Sequence, residues 1–191
     1  MRKHLVAALA LAAVAIAASA APAFTGDSGT VTMHITVEAP AAACLTVSPS
    51  SLDFAGPAHF SKPGAGAVSD SVEAATLTNC GSASQTVSAV GSDAVSQAGS
   101  WTLASGAGNP CALGPDAFFL LLDSDSGGAP LTLGSGFITK TPTLVSPTQG
   151  HAWGAGEFAY ARFTIYMPCE GSNGAGETKT FTVGFTATVA S

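Results

Sequence analysis

Residues 30–38 read TVTMHITVE, and they alternate. Val31, Met33, Ile35 and Val37 fall on one side, with Thr30, Thr32, His34 and Thr36 on the other. A period of two is that of a half-buried β-strand. The same alternation returns at residues 181–189, through Phe181, Val183, Phe185, Ala187 and Val189. Between these, residues 45–47 and 52–54 form short strands split by Ser48, Pro49 and Ser50. Proline has no N–H for a ladder, so an edge or a bend is expected there. Residues 72–78 make the next strand, and a turn at 79–81 leads to its hairpin partner at 85–90. Residues 101–103 are a brief strand. Residues 117–122 (AFFLLL) are apolar on both faces, as in a central strand. Short strands are expected at 131–133, 137–139 and 143–145. A long one follows at 158–167 (FAYARFTIYM), with Phe163, Ile165 and Met167 on one face. Gly- and Pro-rich passages at 56–70 and 104–115, and turns at 123–128 and 168–176, punctuate the series.

After residue 23 no stretch sustains apolar spacing of period 3.6. Many short strands with Gly/Pro punctuation predict an all-β protein. The first expectation is an Ig-like β-sandwich with Greek-key connections, and the second a jelly roll.

The segment before the first strand changes the picture of where the chain works. Arg2 and Lys3 precede an apolar, alanine-rich run, and Ala18-Ser19-Ala20 has a small-x-small form. This is the pattern of a secretory signal peptide, residues 1–23, with cleavage after 20 or 23. The run is short for a bilayer span of about 20 residues, and no second apolar run of spanning length follows. A secreted or cell-surface protein is expected, with residues 24–191 as a single domain. That leaves about 168 residues, enough for one sizeable core.

Removal of the leader takes two of the six cationic residues. Lys62, Lys140, Arg162 and Lys179 then face twelve acidic residues, a formal charge of −8. Such a surface is a poor match for nucleic acid, whose affinity rests on phosphate neutralisation. It argues equally against anionic lipid. Only 9% of residues are charged, against about 25% in ordinary domains, so little repels a neighbouring copy.

Four cysteines in an exported chain, Cys44, Cys80, Cys111 and Cys169, read as two disulfides. Three connectivities exist, and the sequential one, Cys44–Cys80 with Cys111–Cys169, is favoured. A four-thiolate zinc site is disfavoured because no CxxC spacing occurs.

VSPSSLDFAG (47–56) followed by TLTNCGSASQTVSAV (76–90) resembles Ig-like modules of the ASH/hydin type. Those pair a P-x-x-L-x-F-G strand with an L-T-N-x-G strand and hairpin. Ala55 stands where the glycine usually follows the phenylalanine, and Cys80 occupies the variable position after Asn79. The match covers about a quarter of the chain and implies a scaffolding or binding module. The chain also resembles bacterial pilin subunits. Those place one cysteine on the first core strand and another on the next, and they carry an alternating N-terminal segment that completes a neighbour's sheet. That likeness implies a donated strand at residues 30–38.

Candidate chemistry is sparse. The motifs GxSxG, HExxH, GxGxxG and GxxxxGK[ST] are absent. His34, His59 and His151 are far apart in sequence, so no catalytic residue is assigned and no enzyme is expected. No cofactor is implied. Asp123 and Asp125 resemble the opening of a calcium loop, with Asp116 as a further ligand. The acid that an EF-hand needs at its twelfth position is replaced by Gly134, and a solvated turn is the favoured reading. Trp153, in a Gly-flanked loop with Glu157, is a candidate platform for a sugar ring, with ordinary packing the favoured reading, and Trp101 reads as core. Arg162 is expected to pair with Glu157 or Glu170. The function that follows is non-catalytic: a structural or adhesive protein of a bacterial cell surface, assembling with its own kind through strand addition. A polysaccharide-binding module and an unrecognised secreted enzyme are the alternatives.

Overall fold

The structure is a computed structural model that describes residues 31–38, 43–54, 68–71, 73–106, 109–125, 133–145, 153–169, 172–173 and 177–190. Residues 1–30 lie outside them, as do residues 55–67, which take in most of the loop expected at 56–70. Thirteen strands are described: β1 (Val31–Glu38), β2 (Leu45–Ser48), β3 (Ser51–Phe54), β4 (Val68–Asp70), β5 (Ala75–Asn79), β6 (Gln85–Gly91), β7 (Ala94–Ser96), β8 (Gly99–Leu103), β9 (Ala117–Asp125), β10 (Gly136–Ile138), β11 (Thr143–Leu144), β12 (Phe158–Tyr166) and β13 (Lys179–Val189). A single 3-10 turn, Pro110–Ala112, is the one helical piece among them.

The all-β expectation holds, but the strands do not part into two independent sheets. One wall runs β3-β1-β13-β6-β11. The other runs β10-β9-β12-β5-β2, with β4 beside β12 beyond the end of β5. Hydrogen bonding continues from wall to wall. β7 pairs with β13 at Thr180 and forms a hairpin with β8, and β8 meets β9 in parallel at Thr102↔Ala117 and Leu103↔Phe118. On the opposite side Trp153 and Gln85 exchange two backbone bonds of 2.9 and 3.0 Å. Close by, the Asn79 N–H donates to the Glu157 carbonyl at 3.0 Å. The sheet is therefore nearly closed and barrel-like.

Alternation decides what fills it. On β13 the odd-numbered residues Phe181, Val183, Phe185 and Ala187 are buried, with Thr182, Gly184 and Thr186 between them. On β12 Ala159, Ala161, Phe163 and Ile165 are buried. Rings from both walls meet in the middle, with Phe163–Phe185 centroids at 6.5 Å, Phe118–Phe181 at 5.5 Å and Phe54–Phe181 at 6.1 Å. Each such buried side chain contributes about 1.5–3 kcal/mol over leaving it in water.

The cysteines join in the sequential order. Cys44–Cys80 ties the start of β2 to the end of β5, with Cα atoms 4.9 Å apart. Cys111–Cys169 ties the 3-10 turn to the chain beyond β12, at 5.3 Å. Each loop closed in this way removes about 4 kcal/mol of unfolded-chain entropy in the simple model. Two disulfides are consistent with an oxidising, extracellular setting. Among the described residues no helix is long and apolar enough to cross a membrane.

Three expectations are corrected here. Residues 123–125 are not a turn, because β9 runs on to Asp125, held by Arg162 and Tyr160 of β12. The passage 56–70 is not loop to its end, since residues 68–70 form β4 against β12. Leu133 is buried but lies outside any strand.

Candidate functional site

The candidate residues come first. Trp153 is 0% exposed. Its indole N–H donates to the Glu157 carbonyl at 2.9 Å, while the Glu157 carboxylate accepts the Gly154 N–H. A sugar ring stacks on an open aromatic face, and this ring has none. Trp153 is packed core, the reading favoured over a platform, and with Glu157 it forms the latch at which the sheet nearly closes.

Beside the latch lies a polar cluster that sequence reading missed. Asn79, fully buried, donates through its side-chain amide to the Trp153 carbonyl (2.8 Å) and the Ala83 carbonyl (2.9 Å). Its side-chain oxygen accepts from Gly81 N–H (2.8 Å) and from the Gln85 amide (2.6 Å). The Gln85 amide also reaches the Cys44 carbonyl at 3.0 Å. The cluster thus braces the first disulfide. Its sequence signal was the Asn79-Cys80-Gly81 turn, whose asparagine accepts a hydrogen bond from the residue two places on.

The calcium reading of Asp123 and Asp125 fails on backbone shape. Both lie in the extended strand β9, opposite Arg162 and Tyr160, whereas a calcium loop must wrap its oxygens around one point. Asp116 lies in the turn just before β9, and the six strand steps from Ala117 to Asp123 alone span about 20 Å. Its carboxylate accepts from the Asn173 backbone and side-chain amides at 2.5 and 2.7 Å. Among the described residues no three His, Cys, Asp or Glu side chains gather to hold a metal. His34 is exposed on the outer side of β1, and His59 and His151 lie outside the described residues. Arg162 lies opposite Asp123 in the register of β12 and β9, and Glu170 lies outside the described residues.

Lys179 was expected only as one of four scattered cations, yet it is fully buried. Its ammonium lies 5.3 Å from the centroid of the buried Trp101 ring. It donates to the Ser96 hydroxyl and the Gly99 carbonyl, both at 2.8 Å, and so pins the β7–β8 hairpin to β13. Burial holds its pKa below the ordinary lysine value, opposed by the Glu177 and Asp116 charges. Glu177 accepts the Ala98 N–H, and its pKa lies below the usual carboxylate value through hydrogen bonds to Ser96 and Ala98.

The feature with functional reach is the seat of β1. β1 lies between β13 and β3. It runs parallel to β13 over its whole length, from Val31↔Lys179 to Glu38↔Thr186. It runs antiparallel to β3 only from Val31↔Phe54 to His34↔Ser51, followed by the Ile35 N–H bonding to Ser50 O at 2.8 Å. Val31, Met33 and Ile35 are buried against the shared core, and Val37 is half-buried. The first described strand thus completes a wall between the last strand and the short β3. Withdrawn, it would leave a groove with two open backbone edges and an apolar floor. No family model matches the chain, and no curated protein matches it.

Proposed function

We propose that this protein is a non-catalytic structural subunit of a bacterial cell surface, with an Ig-like β-sandwich organisation, that assembles by strand addition. One observation carries the reading: β1 fills a slot between β3 and β13, and its three buried side chains join a core whose other described members run from residue 43 onward. A strand in that position is an inserted element. Its pairing surface accepts any copy of VTMHITVE that reaches it, because backbone bonds supply affinity and the alternate pockets for Val31, Met33 and Ile35 supply register. An isolated chain satisfies the slot with its own β1, and a chain in an assembly takes a neighbour's. The Ig-like part of the reading rests on how the early strands change walls. β2 pairs in the β12 wall, and after Pro49 β3 pairs in the β13 wall.

The test is removal of residues 24–40 from the mature chain, with both forms viewed by negative-stain microscopy after concentration. Fibres or particles from the full-length chain, absent from the shortened one, are expected. Monomers only, identical for both, would defeat the assembly reading.

A further inference from the structure

β1 reads almost the same from either end. Residues 31–37 are VTMHITV, and in reverse they are VTIHMTV. Turned end for end about His34, Val31 and Val37 change places, as do Thr32 and Thr36. Only Met33 and Ile35 differ, and a core tolerates best the swaps that nearly conserve volume.

The slot has the matching symmetry. The Ile35 N–H bonds to Ser50 O, so odd-numbered residues of β1 aim their backbone groups at β3 and even-numbered ones at β13. By the same alternation Ser50, Leu52 and Phe54 aim theirs into the slot. On β13, Thr182 turns its carbonyl away, to the Ser92 N–H at 2.9 Å, which leaves Phe181, Val183 and Phe185 aimed at β1. Half a turn about an axis through His34, normal to the sheet, keeps every side chain on its face and exchanges the two edges. His34 stays opposite Thr182 and Ser51. Met33 then stays opposite Val183 instead of Phe181, with both backbones aimed at each other, as an antiparallel ladder needs. Thr36 comes opposite Asp53, whose carboxylate now accepts the Thr32 hydroxyl at 2.8 Å. Every bonding direction is met again.

As it sits, β1 is parallel to its longer neighbour β13 and antiparallel to the shorter β3. Reversed, it is antiparallel to the longer one, and antiparallel pairing is slightly the more stable per residue. Within one chain reversal would carry the end of β1 about 20 Å away. Six residues join it to β2, and fully extended they reach only about that far. A neighbour's strand is under no such restraint.

We propose that the slot takes the β1 of a second copy in the reverse direction as well as in the direction of its own. The proposal rests on the strand-addition reading and names the occupant: residues 31–37 of another chain, antiparallel to β13.

The test uses two mature proteins with paired cysteines on the outer side, assembled and then oxidised, with the linked peptides identified by mass. Thr32→Cys with Thr180→Cys reports the native direction, since the two face one another. Thr36→Cys with Thr180→Cys reports the reverse. Inside one chain Thr36 lies opposite Gly184, four residues or about 13 Å from Thr180, too far for a disulfide. Multimers linked from residue 36 of one chain to residue 180 of another are expected. Multimers from the Thr32 pair with none from the Thr36 pair would overturn the proposal and leave strand addition standing. Multimers from neither would remove strand addition itself, and the proposal with it.

Discussion

The two walls of this barrel enclose one core but are built on different plans. In the β12 wall every neighbour is antiparallel, and the central strand carries Phe158, Tyr160, Arg162 and Tyr166 outward. In the β13 wall the outer side is a field of threonines around a glycine, and one strand, β1, is parallel to its longer neighbour. The β12 wall draws its strands from residues 45–166, interleaved with β3, β6 and β11 of the other wall, and both disulfides brace it. The β13 wall needs the two ends of the described chain to meet. Pairing between distant segments forms late and is lost first, because loop closure must precede the contacts that reward it. The contrast locates the exchangeable element: it is held by ladder bonds and three core side chains, with no covalent tie.

Loss of β1 should have the largest effect. Deleting residues 31–38 removes the burial of Val31, Met33 and Ile35, each about 1.5–3 kcal/mol, and should leave the chain unfolded. A synthetic VTMHITVE peptide should restore a cooperative melting transition. A shortened chain that melts as the full one does would erase the difference between the walls.

Next comes the latch joining them. Trp153→Ala should destabilise by about 3–5 kcal/mol, measured by urea denaturation, because a fully buried indole leaves a cavity at the closure. Asn79→Ala should cost about 1–3 kcal/mol by leaving the Trp153 carbonyl and the Gln85 amide short of partners. If both variants unfold at wild-type urea concentrations, closure through Trp153 contributes nothing.

A smaller, pH-dependent effect distinguishes the hairpin end of the β13 wall. Because burial depresses the Lys179 pKa, the unfolded chain binds more protons between the folded value and the ordinary 10.5. Stability contributed by this group therefore rises with pH across that window. Glu177 acts at the other limb. Its pKa is lowered from 4.5, so its contribution is present above 4.5 and is lost as pH falls through the folded value. Lys179→Met should flatten the alkaline rise and Glu177→Gln the acid fall in melting temperature. The smallest effect belongs to the exposed Lys140–Asp93 pair, where Lys140→Ala should cost at most about 1 kcal/mol.

How much of this was legible depended on whether the cause was local. Alternation in 30–38 and 181–189 places β1 and β13 to within a residue or two, and AFFLLL marks β9. What alternation cannot show is that β1 and β13 lie side by side and parallel, since register between distant segments is a property of the assembled sheet. Asp123 and Asp125 carry turn chemistry, yet pairing with Arg162 and Tyr160 makes them strand, tertiary context overriding propensity. Trp153 stands among glycines and looks exposed in sequence, but two backbone bonds to Gln85 draw it inside. β7 is only three residues long and exists because Ala94 and Val95 find Trp101 and Thr180.

The account turns on whose β1 fills the slot. Thr32 and Thr180 face one another across β1 and β13 on the outer side, so a Thr32→Cys, Thr180→Cys protein reports it directly. Oxidised within assembled material and run without reductant, it should give a ladder of covalent multimers. A single monomer band, with every crosslink formed inside one chain, would contradict assembly by strand addition.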